Sequence, residues 1–367
     1  MLALYRKYRP KNLNDLLGQD AIVEILKNAA KTDRLAHAYL FFGPRGSGKT
    51  TTARLLAKIA NCEKRQNDKK FKIVGEPCNE CRTCLEIDEG RALDVIEIDA
   101  ASNRGIDEIR NLKESVRVSP SSLKHKVYII DEVHQLTKEA FNALLKTLEE
   151  PPSHAIFILA TTEYEKMPAT IVSRVQRFHF KRLPLMILVE KLKLIAKAEK
   201  ISADEEALEL IAASAEGSFR DAESLLDQIA SLEEKITLES VETILGRVGF
   251  LKTNQMAESL FKNNAEAALD CLFKINEAGY NLIQFNKDLI HYFRRVLALK
   301  FSPVLENEFK KELTETELKE IKKHSQTADE QKLINLLKSF IRAHTEMRYS
   351  PFPIAPLEVA IIENLKK

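Results

Sequence analysis

The stretch FFGPRGSGKTTTARLLAK, residues 41–58, decides how the N-terminal part of the chain folds. It contains the pattern G-x-x-x-x-G-K-[S/T], which binds phosphate when a strand precedes it and a helix follows it. The residues AYLFF before the pattern are apolar and β-prone, and TTARLLAKIA after it has helical periodicity. Its glycines let backbone N–H groups turn inward around an anion, and the helix N-terminus adds partial positive charge. The stretch therefore predicts a phosphate-binding loop in a strand–loop–helix unit.

The residue types in this loop predict separate roles. Lys49 is expected to reach the β- and γ-phosphates of a nucleotide, and the Thr50 hydroxyl to ligate Mg²⁺. The alternative is a glycine-rich turn that matches the pattern by chance, and the strand and helix on either side argue against it. The expected nucleotide contacts are Gly43, Pro44, Arg45, Gly46, Ser47, Gly48, Lys49, Thr50 and Thr51.

Up to about residue 180, apolar runs alternate with amphipathic stretches. AYLFFG, ALDVIEID, KVYIIDE and AIFILATT are apolar almost throughout, a pattern typical of strands buried on both faces of a parallel sheet. TKEAFNALLKTLEE has an apolar helical stripe, with Thr137 as its expected N-cap and Pro151-Pro152 ending it. Strands alternating with helices predict an α/β domain.

From about residue 184 the chain is predicted to be helical, without further strands. Capping boxes are expected at Ser202 with Glu205 and at Ser218 with Asp221, and Gly217 is expected to terminate the intervening helix. ITLESVETILGRV completes a small helical domain. A second helical domain is expected from about residue 250, interrupted near SPFPIAP.

Two acidic residues end one of the predicted strands. In KVYIIDEVH, residues 126–134, Asp131 and Glu132 stand at the carboxyl end, where α/β sheets hold ligands. Asp131 is expected to hold Mg²⁺ through water, and Glu132 to polarise the attacking water. A solvated turn is the alternative for such a pair, but the apolar strand before it and the phosphate loop upstream favour magnesium.

Two further features suit such a site. AIFILATTEY ends a strand with Thr161 and Thr162, where a hydroxyl would orient water beside the acids. Arg220 lies in the first turn of the helix SFRDAESLLDQ, where the helix dipole opposes a cation, so its presence suggests a specific anionic target. An ordinary strand threonine and a surface arginine are the plainer alternatives.

Four of the five cysteines are clustered in the sequence. Cys62, Cys78, Cys81 and Cys84 have the spacing C-x15-C-x2-C-x2-C, and four thiolates can surround one tetrahedral Zn²⁺ with no position left open for catalysis. A structural zinc module is therefore expected at about residues 62–84, with an iron–sulfur cluster as the alternative. The lone Cys271 is expected in a helix core.

The composition predicts the class of protein and its compartment. With 44% hydrophobic and 30% charged residues the chain is typical of a soluble protein, and no apolar run approaches the roughly 18–20 residues that span a bilayer. The N-terminal residues lack the apolar core of a secretion signal, and few cysteines indicate a reducing, cytoplasmic setting. The net charge of +2 gives no indication of nucleic-acid binding, so any DNA contact would come from local placement of charge.

Together these motifs resemble one family. YRKYRPKNLNDLLGQD, GPRGSGKT, IDEVHQLTKEAFNALLKTLEEPP, ILATTEYEKMPATIVSRV and EGSFRDAESLLDQ are similar to the bacterial clamp-loader ATPases, the gamma/tau subunits of DNA polymerase III. The resemblance is strong over about residues 1–245 and extends in outline over the remainder. It implies an AAA+ fold: an α/β ATPase domain at 1–182, a three-helix lid at 183–248, and a helical collar at 249–367 that assembles subunits into a pentamer.

The resemblance also implies roles for single residues. Thr162 matches the sensor 1 position and Arg220 the sensor 2 position. Arg174, in IVSRV, aligns with the arginine finger that the family inserts into a neighbour's ATP site, although the following residue is Val175 where the family usually has Cys. Without the resemblance, a solvated arginine at a helix end is the plainer interpretation of Arg174.

Three further regions are interpreted through the same resemblance. SNRGIDEIR resembles the DNA-facing segment, in which Arg104 and Gly105 would meet a phosphate; a plain loop into a helix is the alternative. The family carries a zinc module with a shorter first spacing, and the KRQNDKKFK loop, of unassigned role, accounts for the excess here. The implied adenine-pocket residues are Tyr5, Arg9, Pro10, Leu16, Leu17 and Phe219.

The resemblance implies an ATP-driven motor that opens the ring-shaped sliding clamp and releases it on primed DNA when ATP is hydrolysed. Its cofactors would be ATP, Mg²⁺ and Zn²⁺, and its partners the clamp, primer-template DNA and loader subunits of delta and delta-prime type. The tails through which longer members bind polymerase or helicase are not expected here. The alternatives are a catalytically silent scaffold, against which the intact ATP-site residues argue, and an AAA+ branch-migration or helicase motor, which the zinc insertion disfavours.

Overall fold

A five-stranded parallel sheet forms the centre of the N-terminal part of the chain in the computed structural model. Its spatial order is β2-β3-β4-β1-β5. The strands are β1 (Ala38–Phe42), β2 (Val95–Asp99), β3 (Lys126–Asp131), β4 (Ala155–Thr161) and β5 (Gln176–His179). Because every neighbouring pair is parallel, the carboxyl ends of all five strands lie at one edge of the sheet.

The structure describes residues 3–232, 235–246, 248–310 and 313–365, and leaves the side chain of Ile106 undescribed. The chain divides into two compact units. The first comprises residues 1–183 and 216–223, and the second comprises residues 184–215 and 224–367. None of the helices in the described ranges combines the length and the apolar character that a membrane span requires.

Helices cover both faces of the sheet in the first unit. They are α1 (Leu4–Lys7), α2 (Asp20–Lys31), α3 (Lys49–Asn61), α4 (Glu63–Asn67), α5 (Lys69–Lys72), α6 (Arg82–Asp88), α7 (Ile106–Arg117), α8 (Lys138–Glu149) and α9 (Ala169–Val172). Along β1, Tyr39 and Phe41 join the apolar cluster containing α2 and α3, whereas Leu40 joins the cluster containing α7 and α8. This alternation confirms the prediction of strands buried on both faces for β1, β3 and β4.

The two edge strands depart from the sequence prediction. β2 was expected to be buried on both faces, but Glu97 is exposed and holds Arg54 through two hydrogen bonds of 2.5 and 2.6 Å. β5 was not predicted, since Phe178 is its only buried residue. An edge strand has one paired neighbour and tolerates polar side chains, which removes the apolar pattern from its sequence.

The segment after α3 also differs from its prediction as a loop. Residues 63–72 form the short helices α4 and α5, and the Asp68 carboxylate caps α5 by accepting hydrogen bonds from the Lys70 and Phe71 amides at 2.8 and 3.2 Å. An aspartate at the N-cap satisfies amides that a helix leaves without partners. The insertion is thus locally structured, with Arg65 buried beneath it.

The second unit is helical, apart from one short pair of strands. Its helices are α10 (Leu185–Glu199), α11 (Glu205–Ser214), α12 (Phe219–Ala230, beginning in the first unit), α13 (Leu238–Leu245), α14 (Phe250–Phe261), α15 (Ala265–Glu277), α16 (Leu282–Phe301), α17 (Glu306–Phe309), α18 (Glu315–Thr327), α19 (Glu330–Met347) and α20 (Ile354–Leu365). Cys271 is buried in the apolar core of α14–α20, as predicted.

Two local predictions in this region are wrong. Ser202 does not cap α11: it forms the strand β6 (Ser202–Ala203), which pairs in parallel with β7 (Lys235–Ile236), and Asp204 occupies the N-cap position. Gly217 lies beyond the end of α11, which is capped at Ala215. The Ser218 cap is confirmed, because the Asp221 amide donates a 3.2 Å hydrogen bond to its hydroxyl.

Candidate functional site

The loop between β1 and α3 has the backbone conformation that its glycines predict. Gly43, Gly46 and Gly48 have φ angles of 145°, 71° and 101°, which L-residues with side chains seldom adopt. The buried Lys49 ammonium donates hydrogen bonds to the Gly43 and Pro44 carbonyls at 2.9 and 2.8 Å. Burial lowers the pKa of Lys49, opposed by the nearby charges of Glu132 and Asp131.

The two predicted magnesium ligands lie in direct contact. The Thr50 hydroxyl, on the first turn of α3, donates a 2.9 Å hydrogen bond to Asp131 Oδ2 at the end of β3. The other Asp131 oxygen accepts the Glu132 amide at 2.9 Å. A hydroxyl and a carboxylate side by side at a phosphate loop are the oxygen donors that Mg²⁺ uses in nucleotide sites. The residues present therefore suit this ion.

Glu132 stands just beyond β3 with φ at 46°, in the left-handed region. Its Oε2 accepts two hydrogen bonds from Thr162, one from the amide at 3.1 Å and one from the hydroxyl at 2.8 Å. The Thr161 side chain is fully buried and faces His134 instead. Of the two threonines, Thr162 is thus the one that contacts the predicted catalytic acid.

His134 joins this cluster and was missed by the sequence analysis. Its side chain is only 3% exposed, with Nδ1 lying 3.3 Å from Glu132 Oε2 and 2.9 Å from Thr161 Oγ1. Its Nε2 lies 3.1 Å from the Glu163 carboxylate and 2.9 Å from the Gln135 amide. A histidine three residues after Asp131 gives no sequence signal of its own, because the contact with Glu163 depends on the pairing of β3 with β4.

The N-terminal segment and the start of α12 meet at the same loop. Gln19 is buried, donates to the Lys181 carbonyl at 3.0 Å and approaches the Ser47 carbonyl at 3.4 Å. Ser218 lies so close to Gly46 that a Cβ on the glycine would stand 2.6 Å from the serine Cβ. This contact brings the first turn of α12 to the phosphate loop.

The implied adenine-pocket residues are placed as follows. Leu16 is buried, and its Cδ2 would lie 3.7 Å from a Cβ added at Gly48. The Arg220 guanidinium stands over the Tyr5 ring, 5.2 Å from its centroid. Arg9, Pro10 and Phe219 are partly buried, and Leu17 is 39% exposed.

Arg174 lies away from this cluster, just after α9. Its Nε donates to Glu149 Oε1 at 2.8 Å, its Nη2 stands 2.5 Å from the same oxygen, and its Nη1 donates to the Thr170 carbonyl at 2.7 Å. Glu149 is the last residue of α8, and no sequence pattern predicts its pairing with Arg174. Arg174 and Glu149 are 34% and 45% exposed, so a partner molecule can reach them.

The predicted DNA-facing residues lie at the start of α7. Gly105 is its N-cap, and the exposed Arg104 donates from Nε to the Ala101 carbonyl at 2.9 Å. The Glu108 carboxylate sits close against Gly105. An acidic side chain at a helix N-terminus is itself stabilised by the helix dipole and competes with an external anion there.

The four clustered cysteines converge in space. The sulfurs of Cys62, Cys78, Cys81 and Cys84 all lie within 4.8 Å of one another. Tetrahedral Zn²⁺ with bonds of about 2.3 Å places its sulfurs roughly 3.8 Å apart, so this set fits one zinc ion after a small contraction. Amides of residues 78, 80 and 81 point at the sulfurs, and the hydrogen bond from the Cys84 thiol lowers the pKa of Cys62.

Three family models match the chain. They are DNA polymerase III, delta subunit, over residues 18–184; DNA polymerase III clamp loader subunit, ATPase lid domain, over residues 188–232; and DNA polymerase III subunits gamma and tau domain III, over residues 236–366.

Curated relatives agree with these models. DNA polymerase III subunit tau of Bacillus subtilis is 44% identical over 362 residues, 98% of this chain and 62% of that protein. Subunit tau of Escherichia coli is 41% identical over 304 residues, 82% and 46% of the two chains. Subunit gamma of Buchnera aphidicola subsp. Schizaphis graminum is 36% identical over 363 residues, 99% and 97% of the two chains. The chain therefore spans about half to two thirds of the tau relatives and nearly all of the gamma relative.

The contact between Gly46 and Ser218 gives a testable prediction. Gly46→Ala should weaken ATP binding by at least about tenfold, because the new methyl group displaces Ser218 and distorts the loop, in addition to a left-handed backbone cost of roughly 1–2 kcal/mol. Gly90→Ala is the matched control: its φ is also 71°, but no atom lies within 4 Å of the added Cβ. It should lower stability by a similar backbone cost and leave ATP binding unchanged. Nucleotide titration and urea unfolding measure both effects, and equal binding by the two variants would contradict the prediction.

Proposed function

The chain belongs to the family of bacterial DNA polymerase III gamma and tau subunits, and from that membership we propose that it is an ATP-driven motor subunit of the replicative clamp loader. Its partners would be other loader subunits of delta and delta-prime type, a sliding clamp and primer-template DNA, assembled as a pentamer. The observation that carries the proposal is the convergence of Lys49, Thr50, Asp131 and Glu132 at the carboxyl edge of one parallel sheet. A silent scaffold subunit would have no need for this set.

The proposed reaction is attack of water on the γ-phosphate of ATP. The loop amides and Lys49 would hold the phosphates, releasing the ammonium from the Gly43 and Pro44 carbonyls that it now contacts. Thr50 and Asp131 would hold Mg²⁺, which neutralises charge on the phosphates when bound. Glu132 would orient and polarise the attacking water, since an ionised carboxylate is a suitable hydrogen-bond acceptor.

The contacts of Glu132 suggest how its carboxylate is controlled. Thr162 holds Oε2 with two hydrogen bonds, and His134 approaches the same oxygen. This set fixes the orientation of the carboxylate that would face a water at the γ-phosphate. We infer that Thr162 acts as the sensor that links the state of the phosphate to the orientation of the acid, with His134 as a positioning residue.

The remaining ATP-site roles are those that the family implies for residues of the first unit. Tyr5, Arg9, Pro10, Leu16, Leu17 and Phe219 would form the adenine pocket, in which Leu16 lies beside Gly48 of the loop. Arg220 would contact a phosphate from the start of α12, after leaving the Tyr5 ring. The division into an ATPase domain at 1–182, a lid at 183–248 and a collar at 249–367 is retained as part of the proposal.

Arg174 would act on a neighbouring subunit. Its described contacts are with Glu149, Thr170 and Ser173, none of which belongs to the phosphate loop of its own chain. The exposed position allows the guanidinium to reach the γ-phosphate bound by an adjacent subunit. Hydrolysis would then depend on how subunits are stacked, and clamp and primed DNA would control it through that stacking.

The cysteine cluster would hold a structural zinc ion. Four converging sulfurs with amide donors around them suit a closed Zn²⁺ site, which when bound would brace an insertion with little core of its own. Arg104 and Gly105 remain a proposed DNA contact, in which Arg104 is the stronger candidate because Glu108 lies against Gly105.

Two substitutions test the division of roles at the ATP site. Lys49→Ala should weaken nucleotide binding, because it removes the cation that faces the phosphates. Glu132→Gln should preserve binding and reduce turnover, since the amide fills the same volume but cannot polarise water. ATP titration and ATPase assays with clamp, primed DNA and the other loader subunits measure both. Loss of binding in both variants would show that Glu132 is misassigned, and a wild-type assembly without stimulated hydrolysis would refute the motor itself.

Arg174→Ala should leave ATP binding unchanged. It should reduce the rate of ATP hydrolysis stimulated by clamp and primed DNA by about 10³- to 10⁵-fold, which is the usual contribution of an arginine finger to the rate. Arg177→Ala is the matched control: within the described residues, the guanidinium of this nearby arginine donates one 3.4 Å hydrogen bond, to the Tyr164 hydroxyl, and its loss should leave the rate unchanged. In mixed assemblies, activity should return where a wild-type Arg174 faces an intact phosphate loop on the Arg174→Ala chain. Wild-type rates in a fully Arg174→Ala assembly would contradict action between subunits.

Metal analysis of reduced protein should find about one zinc per chain. Cys78→Ser should lose that zinc and lower the melting temperature, because three sulfurs no longer close the site. Cys271→Ser makes the same chemical change in the helical core and should retain the metal. Iron in place of zinc, or equal metal content in both variants, would disprove the assignment.

A further inference from the structure

A cavity of about 410 Å³ lies at the edge of the sheet opposite the phosphate loop. It is lined by the start of β4, the segments before β1 and β3, the end of α3, the helices α4 and α5, and residues 151–153 after α8. Strands of five to seven residues place it about 20 Å from the ATP site. Its volume falls within the range of about 300–1,000 Å³ typical of small-molecule sites.

The charged side chains of this cavity are mostly cationic. Arg65, Lys72 and Lys124 line it together with a single carboxylate, Asp33. Lys72 Nζ lies 2.8 Å from Asp33, and its hydrogen bond, with Lys124 and Arg65 adding to it, lowers the pKa of that carboxyl. Three cations against one carboxylate leave two positive charges without a carboxylate counterpart in the lining.

Arg65 is the buried member of this group, at 5% exposure. Within the described part of the chain, its hydrogen bonds go to the carbonyls of Ile59, Lys72 and Ala30, at 3.1, 3.1 and 2.9 Å. These acceptors are neutral carbonyl oxygens. A buried cation is costly without an anion in contact, so an anion in the adjoining cavity would stabilise it.

The remaining lining combines one polar group without a partner and an apolar wall. The His125 side chain lines the cavity, and its buried Nδ1 has no hydrogen-bond partner among the described residues. Leu35, Pro151, Pro152 and Ile156 line the cavity with apolar surface. A ligand that satisfies the whole lining therefore carries both a compact anion and an apolar or planar portion.

We propose that this cavity binds a phosphate monoester of a small molecule, about the size of a nucleoside monophosphate. A phosphate monoester carries about −1.5 to −2 charges near pH 7, which matches the two uncompensated positive charges. Its oxygens would meet Arg65, Lys72 and Lys124. The rest of the ligand would lie against the proline wall.

The lengthened segment between Cys62 and Cys78 contributes residues to this cavity. α4 and α5 supply Arg65, Gln66 and Lys72 to the cavity wall. Arg65 ties the segment to α2 and α3 through the Ala30 and Ile59 carbonyls. The extra residues thus form one side of a site.

Calorimetric titration of the full chain with AMP tests the proposal, with saturating ADP and Mg²⁺ present to fill the phosphate loop. Lys72→Gln combined with Lys124→Gln should weaken AMP binding by at least about tenfold, since charge-assisted hydrogen bonds to phosphate are lost. Lys69→Gln combined with Lys70→Gln removes the same charge from the exposed face of α5 and should change binding less than about twofold.

A third variant should change the affinity for AMP in the opposite direction. Asp33→Asn should tighten AMP binding several-fold, because it removes the one carboxylate of the lining. Asp33 has φ at 57°, which asparagine also tolerates, so the backbone should be preserved. Unfolding of all variants in urea verifies that the fold is intact.

The probes distinguish the sources of phosphate. Tighter binding of AMP than of inorganic phosphate supports a phosphorylated small molecule, and equal binding supports free phosphate at the same anion site. Equal binding of adenosine and AMP, equal loss in the Lys69/Lys70 control, or no saturable binding at millimolar concentration would overturn the proposal. Binding of a 5′-phosphorylated oligonucleotide without binding of AMP would overturn it in favour of DNA. None of these results depends on ATP hydrolysis.

Discussion

The parallel pairing of β1, β3 and β4 is the constraint on which the ATP site depends. Phe42 pairs with Thr161, and Ile130 with Leu159, so the phosphate loop, the acids after Ile130 and the threonines at the end of β4 are brought to one edge. Adjacent strands lie about 4.8 Å apart, which puts side chains from neighbouring strand ends within hydrogen-bond reach. A shift of one residue in either pair would turn the Thr162 side chain away from Glu132 and separate Thr50 from Asp131. The buried aromatic residues of these strands oppose a slip, since a shift of one residue would move each of them into the core on the opposite face of the sheet.

The features of the candidate site that depend only on neighbouring residues in the chain could be predicted from the sequence. The phosphate loop, the acids at the end of β3 and the Thr137 cap need only a local pattern, and each lies where that pattern puts it. β5 escaped prediction because an edge strand with polar side chains has no apolar period. The prediction that Ser202 caps α11 is wrong because Ser202 forms a strand that pairs with β7, which lies about 30 residues further along the chain. Local rules failed where a distant partner decided the conformation.

The contacts of Arg174 and His134 could not be predicted from the sequence for the same reason. Glu149 ends a helix and Arg174 follows another, 25 residues on, and no spacing rule joins them. His134 lies next to the acids in sequence, yet its bridge between Glu132 and Glu163 requires two strands to be paired first. The cavity at the opposite edge is an extreme case, because residues from 33–37, 59–72, 124–125 and 151–156 all contribute to it. Charge that looks dispersed along the chain becomes concentrated only after folding.

In the proposed motor, Arg174 and Glu132 are each held by contacts within their own chain, and the two sets of contacts affect hydrolysis differently. The Arg174–Glu149 pair is partly exposed, and such pairs contribute at most about 1 kcal/mol. A finger supplies roughly 4–7 kcal/mol to the hydrolytic transition state, so release of Arg174 from Glu149 is a small part of the cost of reaching it. Control of hydrolysis must therefore rest on where the neighbouring subunit stands rather than on breaking this pair. Glu132 is different, since Thr162 holds it with two hydrogen bonds in a partly buried setting, and these contacts set the orientation of the acid within its own chain. The subunit arrangement thus decides whether hydrolysis can occur, and the Glu132 contacts decide when, within a competent arrangement, the water is activated.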